Sequence, residues 1–451
     1  MKLFFASDHA GLNLRRVLMD HAVSLGHDIV DLGPDGSESV DYPDFGNKLA
    51  DALAQEPSAH GIAVCGTGIG ISIALNRHSH VRAALVQDVT TATLTRHRKR
   101  KECAMYRGDY KLIGSEMSFF TRKLEAQLRF QQIPWHYLFK TEERRTALET
   151  KAGTHFVPLL MTPDKWLIHD TISIGPMLNE RFKEREVIPE TPLQRACCFI
   201  LEDAFNHWLG RVCVHSRWCY PSNVAWIGPR FGANMTLDRS IDVPFSEVEL
   251  AQLSPIGPMM YESFGKGVCE VNGVGPDQAV AVKSDFKKML QALAQHFSSN
   301  AFLLGDRPCL ADFALAGASK AHFICDPESR SWLGEHRDML LEYTERFFGN
   351  WPSDIPLWPA DDKVPDSLPV VLDYLQGSYY QSAPANITAG LAGEKYYAFD
   401  YGFGATRART QKRLNVARLH VQDELQRIGS SGDAATLALF ANRGILEHYL
   451  N

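Results

Sequence analysis

The sequence predicts two α/β domains of different strand order joined end to end, followed by a long helical remainder. Three observations carry this prediction. Short β-like runs alternate with helical stretches over the first hundred residues, a second and different alternation starts at Tyr110, and beyond Pro192 the strand signals give way to helical ones. At 451 residues the chain exceeds one ordinary core, and a prior of roughly 150 residues per domain makes about three.

Composition narrows the class of protein. Hydrophobic residues make up 45% and charged residues 22%, and the net charge of −6 opposes general attraction to nucleic acid or anionic membrane, so small-molecule partners are expected. The nine cysteines are odd in number, scattered and without a CxxC pair, which suits free thiols in a reducing cytosol. The opening "MKLFFASDHAG" is too short for a signal-peptide core and no apolar run approaches a membrane span, so a cytoplasmic protein is expected and the sequon at Asn386 carries no weight.

In the first domain "KLFFAS" leads to a helix ending near Gly26, "HDIVDL" to "DFGNKLADALA", "GIAVC" to "GIGISIALNR", and "RAALV" to "DVTTATLTRHR". This is the pattern of a parallel, doubly wound, Rossmann-like sheet, whose ligands bind beyond the carboxyl ends of the strands. Two stretches fall there: Ser7-Asp8-His9 after the first strand and Cys65 to Gly70, "CGTGIG", after the third. Glycines between strand and helix let backbone N–H groups converge on an anion, and the helix dipole favours thiolate at Cys65. A thiolate beside such a hole suits proton abstraction next to a carbonyl without a metal. On spacing alone a buried core thiol and a tight turn account for the stretch equally well, and Asp8 reads equally as a helix cap.

"SDHAG" (7–11), "DYPDFG" (41–46) and "CGTGIGISIALNR" (65–77), in that order, resemble the ribose-5-phosphate isomerase B family, which includes galactose-6-phosphate isomerase subunits. The resemblance implies a metal-independent aldose–ketose isomerase working through an enediolate on a sugar phosphate, as a homodimer. It makes Cys65 the base, assisted by Thr67, with the amides around Gly66, Gly68 and Gly70 as the anion hole. Asp8 and Tyr42 would contact sugar hydroxyls and His9 the phosphate. Family members continue with a further strand and helices bearing phosphate-binding arginines, but here the resemblance stops near residue 98. At the family's ring-opening histidine this chain has Arg98, with His97 one residue earlier and about 100° away around a helix. A truncated domain over 1–98 and a basic linker over 99–107, containing "RHRKRK", are therefore expected. Met105 stands where a free-standing second protein would begin.

From Tyr110 the strands and helices follow in the order βαβαββα: "YKLI", "SFFTRKLEAQLRF", "PWHYLF", "EERRTALETKA", "VPLLM", "WLIH" and "DTISIGPMLNERF". That is a thioredoxin-like layout. Ser118 is a helix N-cap whose hydroxyl also suits a ligand thiolate, Val157-Pro158 suits a cis proline that turns its neighbour toward a peptide ligand, and Asp170-Thr171 open a helix that can hold a carboxylate. Singly these read as a cap, an edge proline and a second cap. Together they suit glutathione.

"GSEMSFFTRKLEAQL", "THFVPLL", "WLIHDTISIGPMLNERF" and "LLGDRPCLADFALAG" resemble the glutathione S-transferase superfamily over about 108–350. The resemblance implies a thioredoxin-like domain over 108–185 and an all-helical domain over 190–350. It also implies that Ser118 stabilises the glutathione thiolate, Val157 and Pro158 hold the cysteinyl part, and Asp170 and Thr171 hold the γ-glutamyl end. Phe205, Trp208 and Trp218 are candidates for an electrophile pocket and equally for core. Phe119 stands where a proline often follows the catalytic residue, and Cys309 replaces the Ser or Thr of the capping box ending at Asp312, a change of roughly 1 kcal/mol. Five prolines between 352 and 369 mark an extended connector, and Leu414, Ala417, Val421, Leu425 and Ile428 mark a helix stopped by Gly429, so 351–451 is expected to be a helical extension in which "EKYYAFDYGFGATRARTQKR" packs on the core or closes a pocket. The function expected is a fusion of a shortened sugar-phosphate isomerase with a glutathione-binding, conjugating domain. Its rival is a non-catalytic binding module with a vestigial isomerase remnant.

Overall fold

The computed structural model describes residues 2–56, 59–78, 80–81, 83–86, 108–400, 405–428, 434–441 and 443–450. The chain forms two compact units, residues 1–105 and 106–451.

The first unit runs β1 (Lys2–Ser7), α1 (Leu12–Ser24), β2 (Asp28–Asp31), α2 (Tyr42–Gln55), β3 (His60–Val64) and α3 (Ile69–Asn76). The three strands are parallel in the order β2-β1-β3. β1 is central and apolar from Leu3 to Ala6, because each face meets a helical layer: Phe4 and Ala6 pack with Leu49, Ala50, Ile71 and Leu75, while Leu3 and Phe5 pack with Ala22. Gly11 opens α1 where a Cβ would stand 2.6 Å from the Val64 carbonyl oxygen, so only glycine lets the helix start this close to the end of β3.

The strand expected over 82–86 is not formed by its described residues. Ala83 to Val86 lie outside the sheet, and the Asn76 side chain holds Ala83 instead, accepting its N–H at 2.9 Å and donating to its carbonyl at 2.7 Å. A parallel strand needs helices over both faces, and Leu85 and Val86 remain exposed. The helix expected over 88–98, His97, Arg98, Cys103, Met105 and the linker fall outside the described residues.

The second unit begins β4 (Tyr110–Gly114), α4 (Phe119–Phe130), β5 (Trp135–Phe139), α5 (Glu142–Ala152), β6 (Leu159–Met161), β7 (Leu167–His169) and α6 (Thr171–Arg181), as the sequence pattern predicts. Its sheet has the order β5-β4-β6-β7, with β4 parallel to β5 and antiparallel to β6, and β6 antiparallel to β7. Helices follow: α7 (Pro192–Trp218), α8 (Pro221–Met235), α9 (Glu247–Leu253), α10 (Ile256–Met260), α11 (Lys266–Asn272), α12 (Ala279–Phe297), α13 (Leu310–Ala318), α14 (Pro327–Ser331) and α15 (Arg337–Phe348). α4 is buried on nearly every side, so its polar residues need partners: the Lys123 ammonium donates to Glu202 at 2.5 Å and to Asn206 at 3.0 Å, both on α7. At Gly317 a Cβ would lie 2.5 Å from the Lys123 backbone nitrogen, which is how α13 approaches α4 so closely.

Beyond α15 the proline-rich segment is extended as expected but fastened down. Arg185 donates to the Pro352 carbonyl, Arg307 to that of Pro356, and Asp362 accepts the amides of Leu193 and Gln194 at the start of α7. The remainder contains α16 (Leu368–Gln376), α17 (Tyr379–Leu391), β8 (Tyr396–Asp400), β9 (Ala405–Arg409), α18 (Lys412–Ile428), α19 (Ala434–Ala441) and α20 (Ile445–Leu450). The expectation of a wholly helical extension is thus corrected: β8 and β9 pair as an antiparallel ribbon. Tyr397 and Phe399 alternate inward with outward neighbours, a period of two that overrides the surrounding helical signal. Asn386 is buried and bonded to the backbone of Gln411. No helix among the described residues is long and apolar enough to cross a membrane.

Candidate functional site

In the first unit β1 and β3 are neighbours in register, so their carboxyl ends bring Asp8 and Cys65 to one edge of the sheet. The Asp8 N–H donates to the Val64 carbonyl at 3.1 Å, and a Cβ on Gly66 would stand 3.7 Å from that of Ala10, so the two loops run side by side. Asp8 is buried and its Oδ1 accepts the Gly11 amide at 2.8 Å, closing the turn into α1, while Oδ2 has no partner among the described residues. His9 is exposed, with Nδ1 3.1 and 3.2 Å from the Val40 carbonyl oxygen and amide nitrogen. Tyr42 opens α2 and lays its phenol end on the glycine loop: a Cβ on Gly70 would be 2.7 Å from Tyr42 Cζ.

Cys65 is half-buried and its Sγ accepts the Gly68 amide at 3.1 Å. Gly68 reaches this position with φ of 75°, a left-handed conformation natural to glycine. The anion hole expected from three glycines is therefore divided: Gly68 serves the sulfur, while of the three glycine amides those of Gly66 and Gly70 have no partner among the described residues. Thr67 Oγ1 accepts the Ile69 amide at 3.3 Å, a local bond at the start of α3.

Arg15 is a residue that sequence reasoning missed. It is fully buried in α1, donates to Ser7 Oγ at 3.1 Å and to the Pro34 carbonyl at 2.6 Å, and pairs with Asp31 at 3.2 Å. It thereby ties the ends of β1 and β2 together beneath the Asp8 loop. Its only sequence signal is a charge on the inward face of an amphipathic helix.

In the second unit, register alone gathers the three candidate loops. Ile113 pairs with Leu159 and Leu159 with His169, so the end of β4, the start of β6 and the end of β7 lie at one end of the sheet. Ser118, Val157-Pro158 and Asp170-Thr171 extend from these points. Ser118 caps α4, its Oγ accepting the Thr121 amide at 3.4 Å. The Val157–Pro158 peptide is cis, and the Val157 backbone makes no hydrogen bond among the described residues. Asp170 accepts the Ile172 amide at 3.0 Å with φ of 75°, a conformation costly for a residue other than glycine, and Thr171 is buried behind it.

The loop ahead of Ser118 is fixed by groups that the sequence gave no reason to connect. Glu116 is buried and accepts from Asn234 at 3.1 Å, Ser240 at 2.8 Å and the Ile241 amide at 2.7 Å. Arg217 donates to the Met117 carbonyl and forms a bidentate pair with Asp326, both contacts 2.9 Å. Burial alone would push the Asp326 carboxyl up, but the Arg217 charge and His322 bring it below its ordinary value. Phe119, standing in place of the expected proline, is buried and stacked on Phe120.

The proposed electrophile-pocket aromatics are core. Phe205 and Trp208 lie in the main core, where the Trp208 indole donates to Asp285 and Tyr374, each at 2.9 Å, and Trp218 packs with Met117, Ile227 and Cys269. The cap at Cys309 keeps its reciprocal arm, since Asp312 accepts the amides of Cys309 at 2.8 Å and Leu303 at 2.9 Å.

Comparison with known proteins agrees with this division. The ribose/galactose isomerase family matches residues 3–105, and the glutathione S-transferase C-terminal domain matches residues 275–349. The probable ribose-5-phosphate isomerase B of Mycoplasma pneumoniae is 39% identical over 95 residues, covering 21% of this chain and 62% of that protein. Ribose-5-phosphate isomerase B of Escherichia coli is 38% identical over 95 residues, covering 21% and 64%. The solved structure of ribose-5-phosphate isomerase B from Clostridium thermocellum is 43% identical, covering 22% of this chain and 68% of that one, with a TM-score of 0.22. The chain thus spans 62% and 64% of the two curated relatives. Residues 3–105 belong to the ribose/galactose isomerase family, fused in one chain to a glutathione S-transferase-like portion.

Proposed function

We propose that the first unit interconverts an aldose phosphate and a ketose phosphate, ribose 5-phosphate and ribulose 5-phosphate, with Cys65 as the base. The observation that supports this most is the Cys65 sulfur standing at a strand end next to the Asp8 loop, in a glycine loop where two amides have no partner among the described residues. Cys65 takes the proton from C2 of the open-chain sugar and returns it to C1, and the Gly66 and Gly70 amides meet the enediolate oxygen in between. Asp8 Oδ2 and the Tyr42 hydroxyl hold sugar hydroxyls, and His9 meets the phosphate. The domain is a shortened one, without most of the family's phosphate-binding arginines and with Arg98 at the ring-opening position, so its weakness lies in substrate binding and ring opening rather than in the C2-to-C1 proton transfer. It works as a homodimer in the cytoplasm. The test is formation of ribulose 5-phosphate by the full-length chain: a rate that rises linearly with substrate into the millimolar range fits this reading, and no ketose from folded protein contradicts it.

The second unit is read as a thioredoxin-like domain and helical domain that bind glutathione and conjugate it to electrophiles. The convergence of the three loops at one sheet end, with a Val157 backbone that makes no hydrogen bond among the described residues and the left-handed Asp170, favours this reading. Ser118 donates to the glutathione sulfur, Val157 pairs with its cysteinyl amide, and Asp170 and Thr171 take the γ-glutamyl end. Isothermal titration with glutathione tests it: heat of binding lost in Ser118→Ala supports the role, and no binding at millimolar ligand leaves the unit a module that does not use glutathione.

A further inference from the structure

Two cysteines that neither site uses meet where α7 ends. Cys219, the residue after α7, has its Sγ 3.8 Å from that of Cys269 on α11, so the two sulfurs are in contact. Cys219 is half-buried, and Cys269 lines an open cleft of about 530 Å³ together with Glu270, Gly273, Tyr396 and Arg407. Cys269 is itself buried, so Cys219 is the sulfur of the pair open to a small reagent. Cys198 and Cys309 also interact, but both are fully enclosed in the main core.

The surroundings give the two sulfurs different tasks. The hydrogen bond from Cys269 pulls the Cys219 thiol down, to about 5, against its burial and with help from His215 one turn earlier on α7. Cys269 is pushed up by the same contact. Cys219, the less buried of the two and one turn from His215, is then the sulfur that attacks, and Cys269 the one that closes the bond. As a thiol Cys219 also donates to the Val274 carbonyl at 3.4 Å, and the neighbouring Gly273 carbonyl accepts from Thr406 on the β8–β9 ribbon, so the pair sits under a junction of α7, α11 and that ribbon.

We propose that Cys219 and Cys269 form a redox-active dithiol that a hydroperoxide closes to a disulfide. The Cys219 thiolate attacks one peroxide oxygen; the S–O bond forms as the O–O bond breaks, and the departing oxygen takes a proton from solvent. Cys269 then attacks the Cys219 sulfur, the S–S bond forms as the S–O bond breaks, and the hydroxide leaves as water with the Cys269 proton. Two thiols are oxidised, and one hydrogen peroxide is reduced to two waters. The sulfurs need to close by less than about 2 Å, which a residue just past a helix end can supply.

The test is peptide mapping of the full-length chain after stoichiometric hydrogen peroxide at neutral pH. The expected result is loss of two hydrogens from the intact mass and a cross-linked peptide joining positions 219 and 269, reversed by a thiol reductant. With Cys269→Ser the reaction stops at a sulfenic acid on Cys219 that dimedone captures, and with Cys219→Ser neither product forms. Full alkylation of both thiols in peroxide-treated, folded wild-type protein overturns the proposal, as does a cross-link confined to other cysteines.

Discussion

In the first unit the loops bearing Asp8 and Cys65 are held by backbone contacts and one buried arginine, Arg15. In the second the loop ahead of Ser118 is fixed by Glu116, Arg217 and Asp326, buried charges from three separate parts of the chain. The first arrangement is simple: two neighbouring strand ends and α1 set the geometry through a few contacts, such as the Asp8 N–H to the Val64 carbonyl and Arg15 to the Pro34 carbonyl. The second is distributed, so its site depends on the integrity of the whole unit. The two should respond to mutation in opposite ways, one losing chemistry without losing fold, the other losing fold and chemistry together.

The largest effect is expected at Cys65. Cys65→Ser should lower isomerisation by a factor on the order of 10²–10⁴ while leaving circular dichroism and thermal unfolding unchanged; a variant that unfolds would make this site as distributed as the other. Next comes Arg217→Met, which strands the buried Asp326 carboxylate and should destabilise the second unit by roughly 3–5 kcal/mol, read by hydrogen exchange at both units. Exchange that rises equally in the first unit would erase the contrast.

A smaller, pH-dependent effect is expected at Asp285. Burial pushes its carboxyl up to about 7, while the hydrogen bonds from Trp208 and Tyr374 pull the other way. A group raised in the folded state contributes stability below its unfolded pKa of about 4 and loses it as the pH rises through about 7. Denaturant midpoints of the wild type should fall over that window, and Asp285→Asn should flatten the slope. The smallest effect is Ser118→Ala, at about 1 kcal/mol of stability from the lost cap, against which any larger loss of glutathione affinity stands out; Ser118→Thr should retain the cap.

The same contrast explains what could be read in advance. The sequence pattern placed Asp8, Cys65 and the glycine loop at the strand ends, where the structure has them, because strand-end rules act on neighbouring residues. It also placed β4 to β7, whose register gathers Ser118, Val157 and Asp170. Arg15, Glu116 and Arg217 were invisible, since a charge earns its burial only from partners that tertiary packing supplies. The strand expected over 82–86 failed for a related reason: its apolar composition was right, but the sheet neighbours and covering helices that make a parallel strand are not a property of the segment itself. The β8–β9 ribbon was legible in its alternation, and the helical neighbours on either side outweighed it. The divided anion hole, with Gly68 turned to the Cys65 sulfur, follows from the left-handed backbone at Gly68, which glycine permits but does not dictate.

The most direct test of the isomerase assignment is proton NMR of ribose 5-phosphate in D2O with the full-length chain and its Cys65→Ser variant. Deuterium entering at C2 with the wild type and not with the variant is the predicted result. No exchange from a well-folded wild-type sample would contradict it, and would leave the first unit without the proton chemistry that its loop geometry implies.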